Sequence, residues 1–134
     1  MRVLLVVACA LIDEQGRVLL AQRPAGRSFA GLYELPGGKI DTEETPEQAI
    51  VRELHEELGI NIDPSFLEAL TFVSYDYGDF HLLMLVYVCR QWSGVVQPME
   101  GQDLSWVAQE NLSDWDMLPA NTSIVERLLN RLSI

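Results

Sequence analysis

Basic residues are scarce in this chain. Its 134 residues carry nine Lys or Arg against twenty Asp or Glu, a formal net charge of −11. DNA and RNA backbones demand a basic footprint, so this balance excludes a nucleic-acid polymer as partner. A small phosphorylated molecule stays open, because a divalent cation bridges acidic side chains to phosphate oxygens. Cysteine is nearly absent: Cys9 and Cys89 each sit inside an apolar run and are expected to be buried thiols, not a disulfide or a metal pair. Neither His55 nor His81 has a Cys or His neighbour at zinc spacing. A membrane span needs about 20 apolar residues, and no run approaches that. The apolar run Val3–Ile12 lacks a small-residue cleavage site and reads as a buried first strand, which points to a cytoplasmic protein.

At this length one compact domain over residues 1–134 is expected, without repeats or linkers. Arg2–Ile12 reads as a strand, Asp13–Gly16 as a turn and Arg17–Gln22 as a returning strand, giving a hairpin. Arg23–Gly31 is a Gly- and Pro-containing loop with two arginines. Leu32–Leu35 is a short strand running into a tight turn at Pro36-Gly37-Gly38, where backbone carbonyls can face a ligand. Leu67–Tyr77, Phe80–Trp92 and Gln102–Val107 are further strands. Thr122–Leu132 is a helix with Ile124, Val125, Leu128, Leu129 and Leu132 on its buried face. The pattern is α/β: a mixed sheet with a helix packed on each side.

The segment Gly38–Ile60 carries most of the chemistry. Thr45-Pro46-Glu47-Gln48 offers a Thr N-cap, proline at the first helical position and Gln three residues after the cap. Ile50, Val51, Leu54 and Leu58 form an apolar stripe, and Gly59 is placed to end the helix. Glu53, Glu56 and Glu57 stand at i, i+3 and i+4, so their carboxylates share one face beside that stripe. They fall in the last turns, where the helix dipole disfavours anions, and like charges at this spacing cost a few tenths of a kcal/mol each. A bound divalent cation reverses the sign of that cost. Clustered oxygen donors suit Mg²⁺, with Mn²⁺ as a substitute, better than zinc. Arg52 can pair with Glu56 at i+4 and orient one carboxylate.

Nine positions within these twenty-three residues match the Nudix hydrolase pattern: Gly38, Glu44, Arg52, Glu53, Leu54, Glu56, Glu57, Gly59 and Ile60. The chain therefore resembles that family, and the resemblance implies an α/β/α sandwich. Gln22-Arg23-Pro24, the L-x-E-L-P-G-G-K run ending at Lys39, and Leu118-Pro119-Ala120-Asn121 look like the MutT-type branch. Members of that branch hydrolyse 8-oxo-dGTP to the monophosphate and pyrophosphate and so clear a mutagenic precursor from the nucleotide pool. The resemblance implies a metal site of Glu53, Glu56, Glu57, Glu100 and the Gly37 and Gly38 carbonyls. It also implies water attack at the β-phosphorus, with Glu53 the favoured general base and Glu100 the second candidate, and Arg52 in support.

For the substrate, Lys39 is expected to neutralise a phosphate oxygen and Arg23 to contact phosphate or base. Asn121 is the specificity candidate: its amide could meet the O6 acceptor and a neighbouring N–H of an oxidised guanine. Asn before an apolar helix is also a favoured N-cap, although Thr122 or Ser123 could cap instead. Two other readings stand beside this one. Related small enzymes cleave CTP-type triphosphates, and a regulatory Nudix domain would bind a nucleotide without cleaving it. The latter usually loses glutamates that are intact here. The enzyme is expected to work as a monomer on a free nucleoside triphosphate, away from membranes. Trp92, Trp106 and Trp115 read at least as well as packing residues as stacking platforms.

Overall fold

The computed structural model describes residues 1–132, with side chains described through residue 129. In chain order the described elements are β1 (Val3–Leu11), β2 (Val18–Gln22), β3 (Tyr33–Glu34), β4 (Gly37–Lys39), α1 (Pro46–Leu58), β5 (Leu67–Asp76), β6 (His81–Cys89), β7 (Asp103–Val107) and α2 (Pro119–Leu132). From Val7 to Ile12 the first strand is buried on both faces, which is why it reads as an unbroken apolar run and not as an alternation. One neighbour, β6, runs parallel to it from Val3↔His81 to Leu11↔Cys89, and β4 pairs antiparallel on the other edge. With β5 antiparallel on β6, the order of this four-stranded mixed sheet is β4-β1-β6-β5.

The expected β1–β2 hairpin does not form. Both edges of β1 are taken by β4 and β6, so β2 has nowhere to pair beyond a single bridge, Ile12↔Val18. It crosses instead into a second, antiparallel sheet of order β3-β2-β7. The tight turn read at Pro36–Gly38 is also corrected. The bend falls at Pro36, and Gly37 and Gly38 already belong to β4, opposite Ala8 and Val7. At Gly37 an added Cβ would overlap the β1 backbone at Val7 and Ala8, so this edge pairing requires glycine.

The sheets separate two apolar layers, and the sandwich has a helix on each side. On one face Val7, Cys9 and Leu11 meet Ala49, Ile50, Leu54 and Leu58 of α1. On the other, Ala8, Ala10 and Ile12 meet Ile124, Val125 and Leu128 of α2. Cys9 and Cys89 are buried free thiols, as expected. The second helix starts at Pro119, earlier than the expected Thr122, because proline is pre-set for a first helical position. The side chain of Leu132, expected on its buried face, lies outside the described residues. No described helix is long and apolar enough to cross a membrane.

Leu54 has no exposed surface and anchors α1 midway along its length. Truncating Leu54→Ala should cost about 3 kcal/mol, the usual range for a fully buried leucine. Urea unfolding should show a lower midpoint at unchanged slope.

Candidate active site

Helix α1 is fixed at both ends by local chemistry. Gln48 N–H donates to Thr45 Oγ1 at 3.1 Å, and Thr45 N–H donates to Gln48 Oε1 at 2.9 Å, a reciprocal cap that the sequence predicts. At the other end Gly59 takes a left-handed conformation, φ 71°, and its N–H donates to the His55 carbonyl. The last carbonyls are claimed by the segment before β7. Met99 N–H and the Gln102 amide each donate to Glu57 O at 3.0 Å, and Gln97 N–H donates to Leu58 O at 2.9 Å. This docking brings Glu100 to the C-terminal half of α1.

A cleft of about 790 Å³ opens between that end of α1, β4 and the start of α2. Its size suits a small-molecule site. Of the residues singled out from sequence, Arg23, Gly37, Gly38, Lys39, Glu53, Glu57, Glu100 and Asn121 lie on its wall. Arg52 and Glu56 do not. Glu56 is exposed and stands 3.5 Å from Arg52. Glu53 sits directly over Gly38, where a Cβ would overlap its carboxyl group.

Arg52 is a hub: the expected i+4 pair with Glu56 is present, and shorter bonds go to other partners. Its guanidinium bonds Glu44 at 2.7 and 2.9 Å, Glu53 at 2.8 Å and the Lys39 carbonyl at 3.0 Å, with Asp41 at 3.4 Å. A planar five-donor fork serves this many acceptors where a lysine would not. These hydrogen bonds hold the Glu44 carboxyl at about 2. The bonds to Glu44 and then Glu53 raise the Arg52 guanidinium further above its ordinary value.

Glu57 is in the opposite situation. Burial first, then a hydrogen bond with Glu53 and the neighbouring Glu53, Glu100 and Glu34 charges, push its carboxyl well above the ordinary range. Its Oε2 is buried without a hydrogen-bond partner among the described residues. An orphaned oxygen beside further carboxylates is the donor chemistry that a hard divalent cation satisfies, so the residues fit such an ion. Among the described residues, however, no three acidic, histidine or cysteine side chains form a ready-made cage. Glu53 is drawn toward Arg52, and closing the shell requires side-chain rotation.

At the far end of the cleft Asn121 is buried within the first turn of α2 and does not cap the helix through its side chain. Its Oδ1 accepts from Leu35 N–H at 3.1 Å, and since an N–H only donates, the assignment of oxygen and nitrogen follows. The amide oxygen is thus engaged on one side, and the NH₂ group is the less committed end. Arg23 is tethered to Glu34 at 3.2 Å and to the Ser28 carbonyl at 2.9 Å. Lys39 is exposed at the end of β4.

Sequence reasoning missed two wall residues. Burial raises the carboxyl of Glu34, which the Arg23 charge partly offsets. It stood in the quoted L-x-E-L-P-G-G-K run, and that was its only signal. Gln102 is buried at both ends of its amide, and nothing in the sequence marks it. The tryptophans pack elsewhere: Trp92 stacks on Trp106 and Trp115 lies edge-on to Tyr33. The aromatic wall is Phe29, Tyr77 and Phe80, with ring centroids 5.5 and 5.3 Å apart in sequence along that row.

Fold and cleft together define a class: an α/β/α sandwich carrying an acid-lined small-molecule site. The family model described as the NUDIX domain matches residues 2–128, and the chain belongs to the Nudix family. It is 38% identical over 96% of its length to an 8-oxo-dGTP diphosphatase of Haemophilus influenzae, covering 93% of that protein. A CTP pyrophosphohydrolase of Escherichia coli is 34% identical, with 92% and 90% of the two chains aligned. Among solved structures, one from a study of MutT of Aliivibrio salmonicida and Vibrio cholerae superposes with a TM-score of 0.85 at 27% identity, covering 97% of this chain and 99% of that one.

The Arg52–Glu44 pair has a defined pH signature. Because the folded carboxyl titrates below its ordinary value, the pair stabilises the fold fully above about pH 4.5 and loses that effect as pH falls toward 2. Glu44→Gln should therefore melt earlier than the parent at pH 7, and the gap between the two midpoints should close on acidification. A gap that stays constant to pH 2.5 would contradict the ion pair.

Proposed function

We propose that this Nudix hydrolase is a Mg²⁺-dependent nucleoside triphosphate pyrophosphohydrolase, with Mn²⁺ as a substitute, acting on 8-oxo-dGTP to give 8-oxo-dGMP and pyrophosphate. The observation that carries the reading is one cleft with orphaned, clustered carboxylate oxygen at one end and a buried amide at the other. The family membership and the 8-oxo-dGTP diphosphatase relative support it. In this reading Glu53, Glu57 and Glu100, with the Gly37–Gly38 backbone and Glu56 from the same helix face, hold the cation. When bound, the cation neutralises the phosphates and makes water a better nucleophile at neutral pH. Glu53 takes the proton from the water that attacks the β-phosphorus, with Glu100 the second candidate. Arg52 orients the Glu53 carboxylate. Lys39 and Arg23 neutralise the triphosphate from the cleft wall, and the Asn121 NH₂ group donates to O6 of the base. Clearing a mutagenic precursor, in the cytoplasm and as a monomer, follows as the role.

The E. coli relative favours one rival, a CTP-type pyrophosphohydrolase. Steady-state kinetics on a panel of oxidised and normal triphosphates separates the two, and kcat/KM highest for CTP would replace the guanine reading.

Glu57→Gln keeps shape but removes a donor charge. Turnover should fall by orders of magnitude with the thermal midpoint unchanged or higher, since the substitution also relieves carboxylate repulsion. Near-normal turnover at saturating Mg²⁺ would rule the metal assignment out.

For Asn121 two substitutions divide structure from recognition. Asn121→Asp retains an acceptor for Leu35 N–H but replaces the donor, whereas Asn121→Ala removes both. Both should cut kcat/KM for 8-oxo-dGTP by one to two decades, about 2–3 kcal/mol, and shrink the preference over dGTP. The alanine leaves Leu35 N–H unpaired and the aspartate buries a carboxylate, so both should also lower the thermal midpoint, and the substrate ratio is what reads recognition. An unaltered 8-oxo-dGTP/dGTP ratio in both variants sinks the recognition role.

A further inference from the structure

Among the described residues Gln102 and Asn121 are the buried polar side chains, at 8% and 4% exposure. Asn121 already has a role; Gln102 has none. Its amide is used at both ends. Nε2 donates to the Glu57 carbonyl at 3.0 Å, and Oε1 accepts from Glu100 N–H at 2.9 Å. One side chain thus joins the backbones of two acidic residues that lie on the same cleft wall and are forty-three positions apart in sequence. The residue is itself held firmly. It precedes Asp103, which pairs with Gln22 where β7 joins the second sheet. Gly101, at φ 72°, supplies the left-handed step that turns the chain from Glu100 into it, and its N–H closes on the Pro98 carbonyl at 3.2 Å.

The chemistry of the position explains why an amide sits there. The two groups to be bridged are a carbonyl and an N–H, so the linker must present one donor and one acceptor at its tip. Glutamine does this without charge. A glutamate would set an anion against the Glu57 carbonyl and add to a cluster that already holds Glu53, Glu57 and Glu100. An aliphatic residue of the same length would leave the Glu100 N–H without this partner and the Glu57 carbonyl with Met99 N–H alone.

We propose that Gln102 is a positioning residue that sets the separation of the Glu57 and Glu100 carboxylates and thereby tunes divalent-cation affinity without touching the cation or the nucleotide. This rests on the reading of Glu100 as part of the cation-binding set. Outer partners of this kind are worth 10- to 100-fold in metal affinity or activity.

The test measures Mn²⁺ binding to the nucleotide-free protein by electron paramagnetic resonance, alongside kcat and KM. For Gln102→Leu the Mn²⁺ dissociation constant should rise by about tenfold, in line with other outer partners. At limiting cation kcat should drop, and raising the cation concentration should restore it, while KM for the nucleotide at saturating cation stays at the parental value. A lower thermal midpoint with parental Mn²⁺ affinity would reduce Gln102 to a structural strut and overturn the proposal. Should Gln102→Leu fail to fold, Gln102→Met, which keeps the unbranched length without adding a charge and loses both hydrogen bonds, carries the same readout. Glu100→Gln is the control for the underlying reading: parental Mn²⁺ affinity there removes Glu100 from the set and the proposal with it. If Glu100→Gln does weaken binding, the double variant with Gln102→Leu should bind no more weakly than Glu100→Gln alone. Additive losses would mean that Gln102 acts by another route, and would overturn the proposal.

Discussion

The Glu53 carboxyl of helix α1 rests on the Gly37–Lys39 strand at Gly38, in the space that a Cβ would take. That contact fixes everything at the acidic end of the cleft. The missing Cβ lets the Glu53 carboxyl rest on the strand, and the missing Cβ at Gly37 lets the strand pair tightly with β1. The opposite face of α1 is sealed by Ala49, Ile50, Leu54 and Leu58 against β1 and β6. A helix clamped in this way has little freedom to move its carboxylates away from one another, so their repulsion must be met by other groups.

Two kinds of group meet it. Arg52 gathers Glu44, Glu53 and Glu56, with Asp41 at the edge, into one ion-paired network on the outer side of the helix. On the inner side Glu57 has no cationic partner among the described residues, and its Oε2 is buried and unsatisfied there. The contrast is informative because the two residues lie within a turn and a half of each other. Structural ion pairing accounts for the outer face, while the inner face retains the strain typical of a site prepared for a charged ligand.

Buried amides tie the cleft to the scaffold at both ends. Gln102 joins α1 to the approach to β7, and Asn121 joins α2 to the segment between β3 and β4. Each uses a side chain to satisfy a backbone group where two segments distant in sequence meet. Between them run Glu34, Arg23 and the row of Phe29, Tyr77 and Phe80. The cleft is thus lined by rigid elements on the acidic side and by a loop, Arg23–Gly31, on the other.

The sequence alone determined what is local or periodic. The reciprocal cap at Thr45 and Gln48, the left-handed stop at Gly59, the apolar stripe of α1 and the shared face of Glu53, Glu56 and Glu57 all follow from spacing along one helix. The two-sided burial of β1 follows from its unbroken apolar run. Only the tertiary structure decided which edges pair and which polar groups meet. Because β4 and β6 occupy both edges of β1, the hairpin with β2 that the turn at Asp13–Gly16 suggests gives way to a second sheet. Arg52 chose Glu44 over Glu56 because β4 and the segment after it fold back alongside α1, a neighbour that no helical spacing encodes. Gln102 and Asn121 bond to backbone groups contributed by remote segments, and a backbone N–H or carbonyl leaves no mark in the sequence. Local spacing sets which side chains share a face; the close approach of distant chain segments sets what those side chains find there.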